Sequence, residues 1–196
     1  METKESRETP FFLEKQKVRL IDFQTEGWIL DLGGGGEGII GQLKGKQVVA
    51  IDPVKNELLE APDGPLKIVM DARKLEFLDE SFNMVTAFFT LMYIPAADHP
   101  GVLREAWRVL RPSGKMLIWE AALPTRMDQT NEFVAFYLEI QLPYQEVQTG
   151  YGTKWPAVEL DKSYYQNLAE QTGFKILQSE SQTDRGVFFL ELQKPG

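Results

Sequence analysis

Cysteine is absent from the 196-residue chain, which removes disulfides, thiolate nucleophiles and thiolate metal sites together. Histidine occurs once, as His99, so neither a histidine metal cluster nor an HExxH helix can be built, and no metal is expected. Positive charge is scarce as well: 21 Lys and Arg stand against 29 Asp and Glu, a net charge of −8. A field of that sign repels a phosphate backbone, which argues against nucleic acid as the main partner. No run reaches the roughly 18 apolar residues that a membrane helix needs. Even Val85–Ile94 is interrupted by Thr86 and Thr90, so no membrane partner is expected. Met1–Glu8 alternates charges without an apolar core and reads as a frayed tail, not a signal peptide. A cytoplasmic location is the resulting expectation.

What remains is a globular composition, 43% hydrophobic and 26% charged, in a chain long enough for one core. A single domain over residues 1–196 is expected. Thr9–Phe23 reads as a helix, with Phe12, Val18, Leu20 and Phe23 as its apolar positions. Apolar strands then alternate with helices. Strands are expected at Trp28–Leu32, Gln47–Ile51, Leu66–Met70, Phe82–Phe89 and Lys115–Trp119, with helices at Ile39–Lys44, Val54–Glu60 and Gly101–Leu110. Strands apolar on both faces and separated by helices predict a parallel sheet covered on both sides, hence a doubly wound α/β fold. Residues 121–160 show no strand rhythm and are expected to hold a helix near Asn131–Ile140, followed by Gly- and Pro-rich loops. Ser163–Thr172 reads as a helix, and Phe174–Ser179 with Val187–Gln193 as a closing strand pair.

Asp31-Leu32-Gly33-Gly34-Gly35-Gly36-Glu37-Gly38 lies where the first strand of this sheet meets its first helix. Five glycines in six positions cost backbone order, about 1 kcal/mol each relative to alanine, which a plain turn has no reason to spend. They let the backbone approach a ligand closely at the positive end of a helix. Gly33, Gly35 and Gly38 fit the dinucleotide spacing G-x-G-x-x-G, but that pattern alone is weak. Asp31 separates the options, since a carboxylate beside the loop repels a pyrophosphate and attracts an ammonium or a sulfonium. Asp52, followed by Pro53, ends the second strand, where a carboxylate either accepts two ribose hydroxyls or caps the next helix. Asp71, followed by Ala72, ends the third; it is either an acceptor for an adenine amino group or a solvated turn residue. Open α/β sheets bind ligands along this edge, at the C-terminal ends of their strands.

With these motifs in place, the sequence resembles class I S-adenosylmethionine-dependent methyltransferases, and most of all their small-molecule, quinone-biosynthesis-like branch. Trp28–Gly38 is similar to the family's glycine motif, Val48–Asp52 to its ribose motif and Met70–Phe77 to its Asp-Ala adenine motif. Asp79–Val85 and Leu103–Lys115 resemble the segments before its fourth and fifth strands, and Phe174 to Lys194 its final hairpin. The resemblance implies a Rossmann-like, seven-stranded, mostly parallel sheet with an antiparallel C-terminal strand and S-adenosyl-L-methionine as cofactor. It implies that Asp31, Gly33, Gly34 and Gly35 contact the methionine end, Asp52 and Pro53 the ribose, and Asp71 with Ala72 the adenine. Phe89, Thr90 and Leu91 would face the cofactor and its methyl group. The sequence departs from the family's D-x-G-x-G-x-G at Glu37, with Gly38 following: either the loop carries one extra residue, or Glu37 replaces a glycine near the cofactor, where a second anion would weaken binding.

Methyl transfer from a sulfonium is an in-line displacement that depends on alignment and exclusion of water, so no catalytic residue is obligatory. Tyr93 and His99 are the available candidates, although a histidine before Pro100 also reads as a solvated helix start. Residues 121–165, rich in Phe and Tyr, are expected to form the wall or lid of a site for a small-molecule acceptor. Two rival readings stand beside methyl transfer. One is a non-catalytic cofactor- or partner-binding module on the same fold. The other is an NAD(P)-dependent oxidoreductase, which Asp31 disfavours.

Overall fold

A computed structural model describes residues 10–126, 131–181 and 186–196. The expected tail, Met1–Glu8, lies outside the described residues. In chain order the elements are β1 (Phe11–Phe12), β2 (Gln16–Arg19), β3 (Ile29–Leu32), α1 (Ile39–Lys44), β4 (Val48–Asp52), α2 (Lys55–Glu60) and β5 (Leu66–Val69). They continue with β6 (Phe82–Phe88), α3 (His99–Val109), β7 (Leu110–Ala121), β8 (Phe133–Gln141), β9 (Glu146–Lys154), α4 (Lys162–Thr172), β10 (Lys175–Ser181) and β11 (Val187–Gln193).

Seven strands form one sheet in the order β10-β11-β7-β6-β3-β4-β5. Strands β3 to β7 run parallel, and β11 is antiparallel to both β7 and β10. Hydrophobicity on both faces explains the parallel core: Ile29, Leu30 and Leu32 of β3 and Val48 and Ile51 of β4 are all 0% exposed. Val102, Leu103, Ala106 and Val109 bury one face of α3 at helical spacing. Asp161 starts α4 by accepting a hydrogen bond from Tyr164 N–H at 2.7 Å, and Gly173, at φ 101°, ends it. The chain passes from β3 to β4 and β5 on one side, then returns to place β6 on the other side of β3. This reversal is the topological switch point, where a doubly wound sheet opens a crevice.

Two expectations are corrected. Thr9–Phe23, from residue 10 onward, is not a helix; it carries β1 and β2, which pair parallel with β8 at Phe11↔Val134 and Val18↔Ile140. Asn131–Ile140 is not a helix either, and residues 121–160 hold a β-hairpin, β8 antiparallel to β9, with Phe136 opposite Tyr151. The strand spacing in β8 is clear once paired: Val134, Phe136, Leu138 and Ile140 alternate inward and all are buried. Gly150 and Gly152, read as loop residues, sit in β9 opposite Tyr137 and Ala135, where small size leaves room for the partner side chains. These four strands make a second sheet beside the first.

Candidate functional site

The glycine loop leaves β3 at the switch point and is shaped by its neighbours. Gly33 has φ 67°, and a Cβ there would lie 2.5 Å from Thr90 Cγ2. A Cβ on Gly35 would lie 2.5 Å from Glu57 Cβ and 3.0 Å from an Asp52 carboxylate oxygen. The backbone is therefore pressed against α2 and the loop after β6, and only glycine fits. Gly34 N–H donates to Ile51 C=O at 2.9 Å and Gly36 N–H to Glu57 C=O at 2.9 Å, which tie the loop to β4 and α2.

Two carboxylates, Asp31 and Asp52, lie against it, and a third, Asp71, follows β5, two strands away from β3. Asp31 is 2% exposed and accepts a hydrogen bond from the Thr86 hydroxyl at 2.7 Å. Burial pushes its carboxyl up to about 7, against the smaller opposing effect of Thr86. Asp52 accepts from Val54 N–H at 2.8 Å and also from Gly35 N–H, so it braces the approach to α2 and the glycine loop together. Burial raises its carboxyl above the usual range. Pro53 follows it on the exposed surface. Asp71 ends the run at β5 in an ion pair with Arg73 at 2.6 Å, and Arg73 also reaches Asp98 at 3.1 Å. The hydrogen bond from Arg73 holds the Asp71 carboxyl below the usual range, while the adjoining Ala72 is buried.

The loop after β6 forms the other wall of the crevice. Phe89 is buried in the left-handed region at φ 50°, with its ring 5.5 Å from that of Tyr151 and 6.0 Å from that of Phe136. The Thr90 hydroxyl donates to Leu32 C=O at 2.8 Å and so joins this loop to β3. Leu91 is held by both of its backbone polar groups. Its N–H donates to Glu120 Oε1 at 2.6 Å, and its C=O lies 2.9 Å from His99 Nε2.

Glu120, at the end of β7, carries no sequence motif, and only its charge within an apolar strand marked it. It is fully buried, lies close to the backbone of Thr90 and Met92, and leaves Oε2 without a partner. Burial pushes its carboxyl up to about 8. The reading of His99 as a solvated helix start is corrected: it begins α3 but is 0% exposed. Its Nε2 faces two carbonyls, Leu91 and Ile94, each at 2.9 Å, so that nitrogen carries the proton. Its Nδ1 then accepts from the Tyr164 hydroxyl at 3.0 Å. Burial lowers its pKa and keeps it neutral. Tyr93 keeps a half-exposed ring, and burial pushes its hydroxyl up to about 12.

Glu37, expected as an anion beside the cofactor's carboxylate, turns instead to the second sheet. Its carboxylate accepts hydrogen bonds from the Thr149 and Tyr151 hydroxyls, the latter at 3.1 Å. Among the described residues no cluster of metal-ligating side chains occurs, and no helix is long and apolar enough to cross a membrane.

This arrangement, with a glycine loop at the switch point of the β10-β11-β7-β6-β3-β4-β5 sheet and carboxylates closing three successive strands, is that of the doubly wound α/β proteins whose ligand edge lies at the C-terminal ends of the strands. Comparison with known proteins narrows the class. Residues 30–118 match the family described as Methyltransferase domain. The demethylmenaquinone methyltransferase of Thermotoga maritima is 32% identical over 138 residues, covering 66% of this chain and 59% of that protein. That of Bacillus cereus is 27% identical over 137 residues, covering 63% of this chain and 56% of its own length. The chain thus spans somewhat over half the length of these relatives. Among solved structures, a protein of Pyrococcus horikoshii superposes with a TM-score of 0.63 at 22% identity, covering 87% of this chain and 82% of its own. An S-adenosylmethionine-dependent methyltransferase of Methanosarcina mazei gives 0.61 at 17% identity, covering 89% and 95%. Over residues 30–118 the chain is thus similar to the methyltransferase-domain family, and its fold is the one these solved structures share.

Proposed function

We propose that the protein binds S-adenosyl-L-methionine along the C-terminal edge of β3, β4 and β5 and transfers its methyl group to a small-molecule acceptor, not to a nucleic acid. The observation that carries this reading is the buried Asp31 carboxyl beside a glycine loop too tightly packed to admit a side chain at Gly33 or Gly35. That combination suits an amino-acid ammonium and disfavours a pyrophosphate. The cofactor supplies an electrophilic methyl carried on a sulfonium. Asp31 orients the ammonium, Gly33–Gly35 allow close backbone approach, and Asp52 with Pro53 borders the ribose. Ala72 leaves space for the adenine, and Asp71 meets its amino group while sharing its charge with Arg73. Phe89, Thr90 and Leu91 form the wall towards the methyl group.

On the acceptor side, Tyr151 of the hairpin packs on the buried rings of Phe89 and Phe136, and with the half-exposed Tyr93 it presents an aromatic face that suits a planar acceptor. The relatives named for demethylmenaquinone act on a ligand of that kind, which supports the same class here. His99 is fully engaged in holding the loop, so it acts through position and not as a base. Alignment and exclusion of water then carry the catalysis. A cytoplasmic location is part of the same proposal. The test is calorimetric titration with S-adenosylhomocysteine, with NADH as control, repeated on Asp52→Ala. Micromolar binding of the first ligand, lost in the variant, supports the reading; binding of NADH alone overturns it.

A further inference from the structure

Glu37 is the one residue of the run from Gly33 to Gly38 that has a side chain beyond hydrogen, and that side chain is committed away from its own loop. Its two carboxylate oxygens take the hydroxyls of Thr149 and Tyr151, which are two apart on β9 and so point to the same face of the hairpin. These partners are 112 and 114 residues away in sequence. The same Tyr151 ring touches Phe89, Phe136 and Tyr93, at 5.5, 6.2 and 6.5 Å between centroids. One aromatic side chain is thus anchored by its hydroxyl to the glycine loop and by its ring to the loop after β6. Further ties run alongside: Gln145 to Gln42 of α1, and the Thr153 hydroxyl to Met92 C=O at 3.3 Å.

We propose that Glu37 is a positioning residue that clasps the β8–β9 hairpin to the glycine loop through Thr149 and Tyr151, so that the aromatic acceptor wall is set by the state of the cofactor loop. The proposal rests on the methyl-transfer reading only in assigning that loop to the cofactor. The clasp is charge-assisted at both hydroxyls, and its acceptor cannot be supplied by a glycine. The remaining ties hold the hairpin in its fold when the clasp is cut, so the effect is one of position and not of folding.

The test is hydrogen exchange of the β9 amides, with and without S-adenosylhomocysteine, in the wild type, Glu37→Ala, Glu37→Gln and Tyr151→Phe. Loss of the clasp without ligand should speed exchange over residues 148–153 about tenfold, as befits losing one or two charge-assisted hydrogen bonds. Glu37→Gln, which keeps an acceptor oxygen, should recover part of the protection, and Tyr151→Phe should add little to Glu37→Ala when the two are combined. In the wild type the ligand should slow exchange in β9; in Glu37→Ala it should still bind, within about threefold of wild-type affinity, but leave β9 unchanged. Equal β9 exchange in wild type and Glu37→Ala overturns the clasp. So does retained coupling between ligand and β9 in Glu37→Ala. A wild type that binds no S-adenosylhomocysteine overturns the cofactor reading instead, and the ligand-free comparison then still decides the clasp.

Discussion

Replacing Asp31 with Asn tests the electrostatics of the glycine loop and its proposed role in holding the cofactor. The wild-type carboxyl is buried and its pKa lies at about 7, so it is ionised in about one molecule in ten at about pH 6 and nine in ten at about pH 8. If the ionised form is what holds the ligand's ammonium, the affinity for S-adenosylhomocysteine should rise about tenfold across that interval. Asp31→Asn should bind more weakly at about pH 8 and lack this part of the rise. The ligand's own groups titrate alike in both proteins, and Glu120, at about 8, titrates in an overlapping window in both. The difference between the two curves therefore isolates Asp31. Stability gives an independent readout. Because the folded pKa is raised from 3.8 to about 7, the folded state binds this proton more tightly than the unfolded chain does. Stability from this group is therefore greatest below about pH 4, falls as pH rises to about 7 and then levels, a loss of order 4 kcal/mol. Asparagine keeps an acceptor for the Thr86 hydroxyl and does not titrate, so the variant's stability curve should be flatter. Calorimetry over pH and urea unfolding over pH measure the two effects. Parallel curves for wild type and variant in both assays would refute the assignment.

Gly33→Ala should destabilise the protein by about 2–4 kcal/mol, through a left-handed backbone and a Cβ forced onto Thr90, with part recovered in Gly33→Ala/Thr90→Ala; urea melts of the single and double variants check this. Glu120→Ala leaves the buried Leu91 N–H without its acceptor and should cost about 1–3 kcal/mol. Glu120→Gln keeps an acceptor oxygen and should instead remove the fall in stability that a carboxyl raised from 4.5 to about 8 imposes between those pH values, seen by comparing melts across that range. Tyr165→Phe removes a buried hydroxyl that has no hydrogen-bond partner and should be neutral or stabilising by up to about 1 kcal/mol. Tyr164→Phe, which takes the partner from His99 Nδ1, should destabilise by about the same amount; thermal melts distinguish the two.

The parallel sheet was legible because its cause is local. Strands such as Ile29–Leu32 and Val48–Asp52 are apolar on both faces, and glycine or proline punctuates the segments between. The strand-end carboxylates followed from the same pattern, since a residue that closes an apolar run at the end of a parallel strand lies on the ligand edge. Residues 133–141 were not legible in that way. Phe133, Phe136, Tyr137 and Ile140 fit a helix, while Val134, Phe136, Leu138 and Ile140 fit a strand, and one segment cannot decide between the two periods. The N-terminal segment has the same ambiguity: its two short strands exist because β8 offers an edge to pair with.

By itself, the sequence determined the doubly wound sheet, its order of strands and helices, and the glycine loop that follows its first strand. Each of these follows from hydrophobic period and backbone permission within a few residues. Only the tertiary structure decided that Glu120 and His99 hold the N–H and the C=O of one residue, Leu91, that Arg73 occupies Asp71, and that Glu37 reaches β9. A buried ionisable group takes its role from whichever donor or acceptor the fold brings within about 3 Å. For Glu37 that partner lies more than a hundred residues away, where no local pattern carries its address.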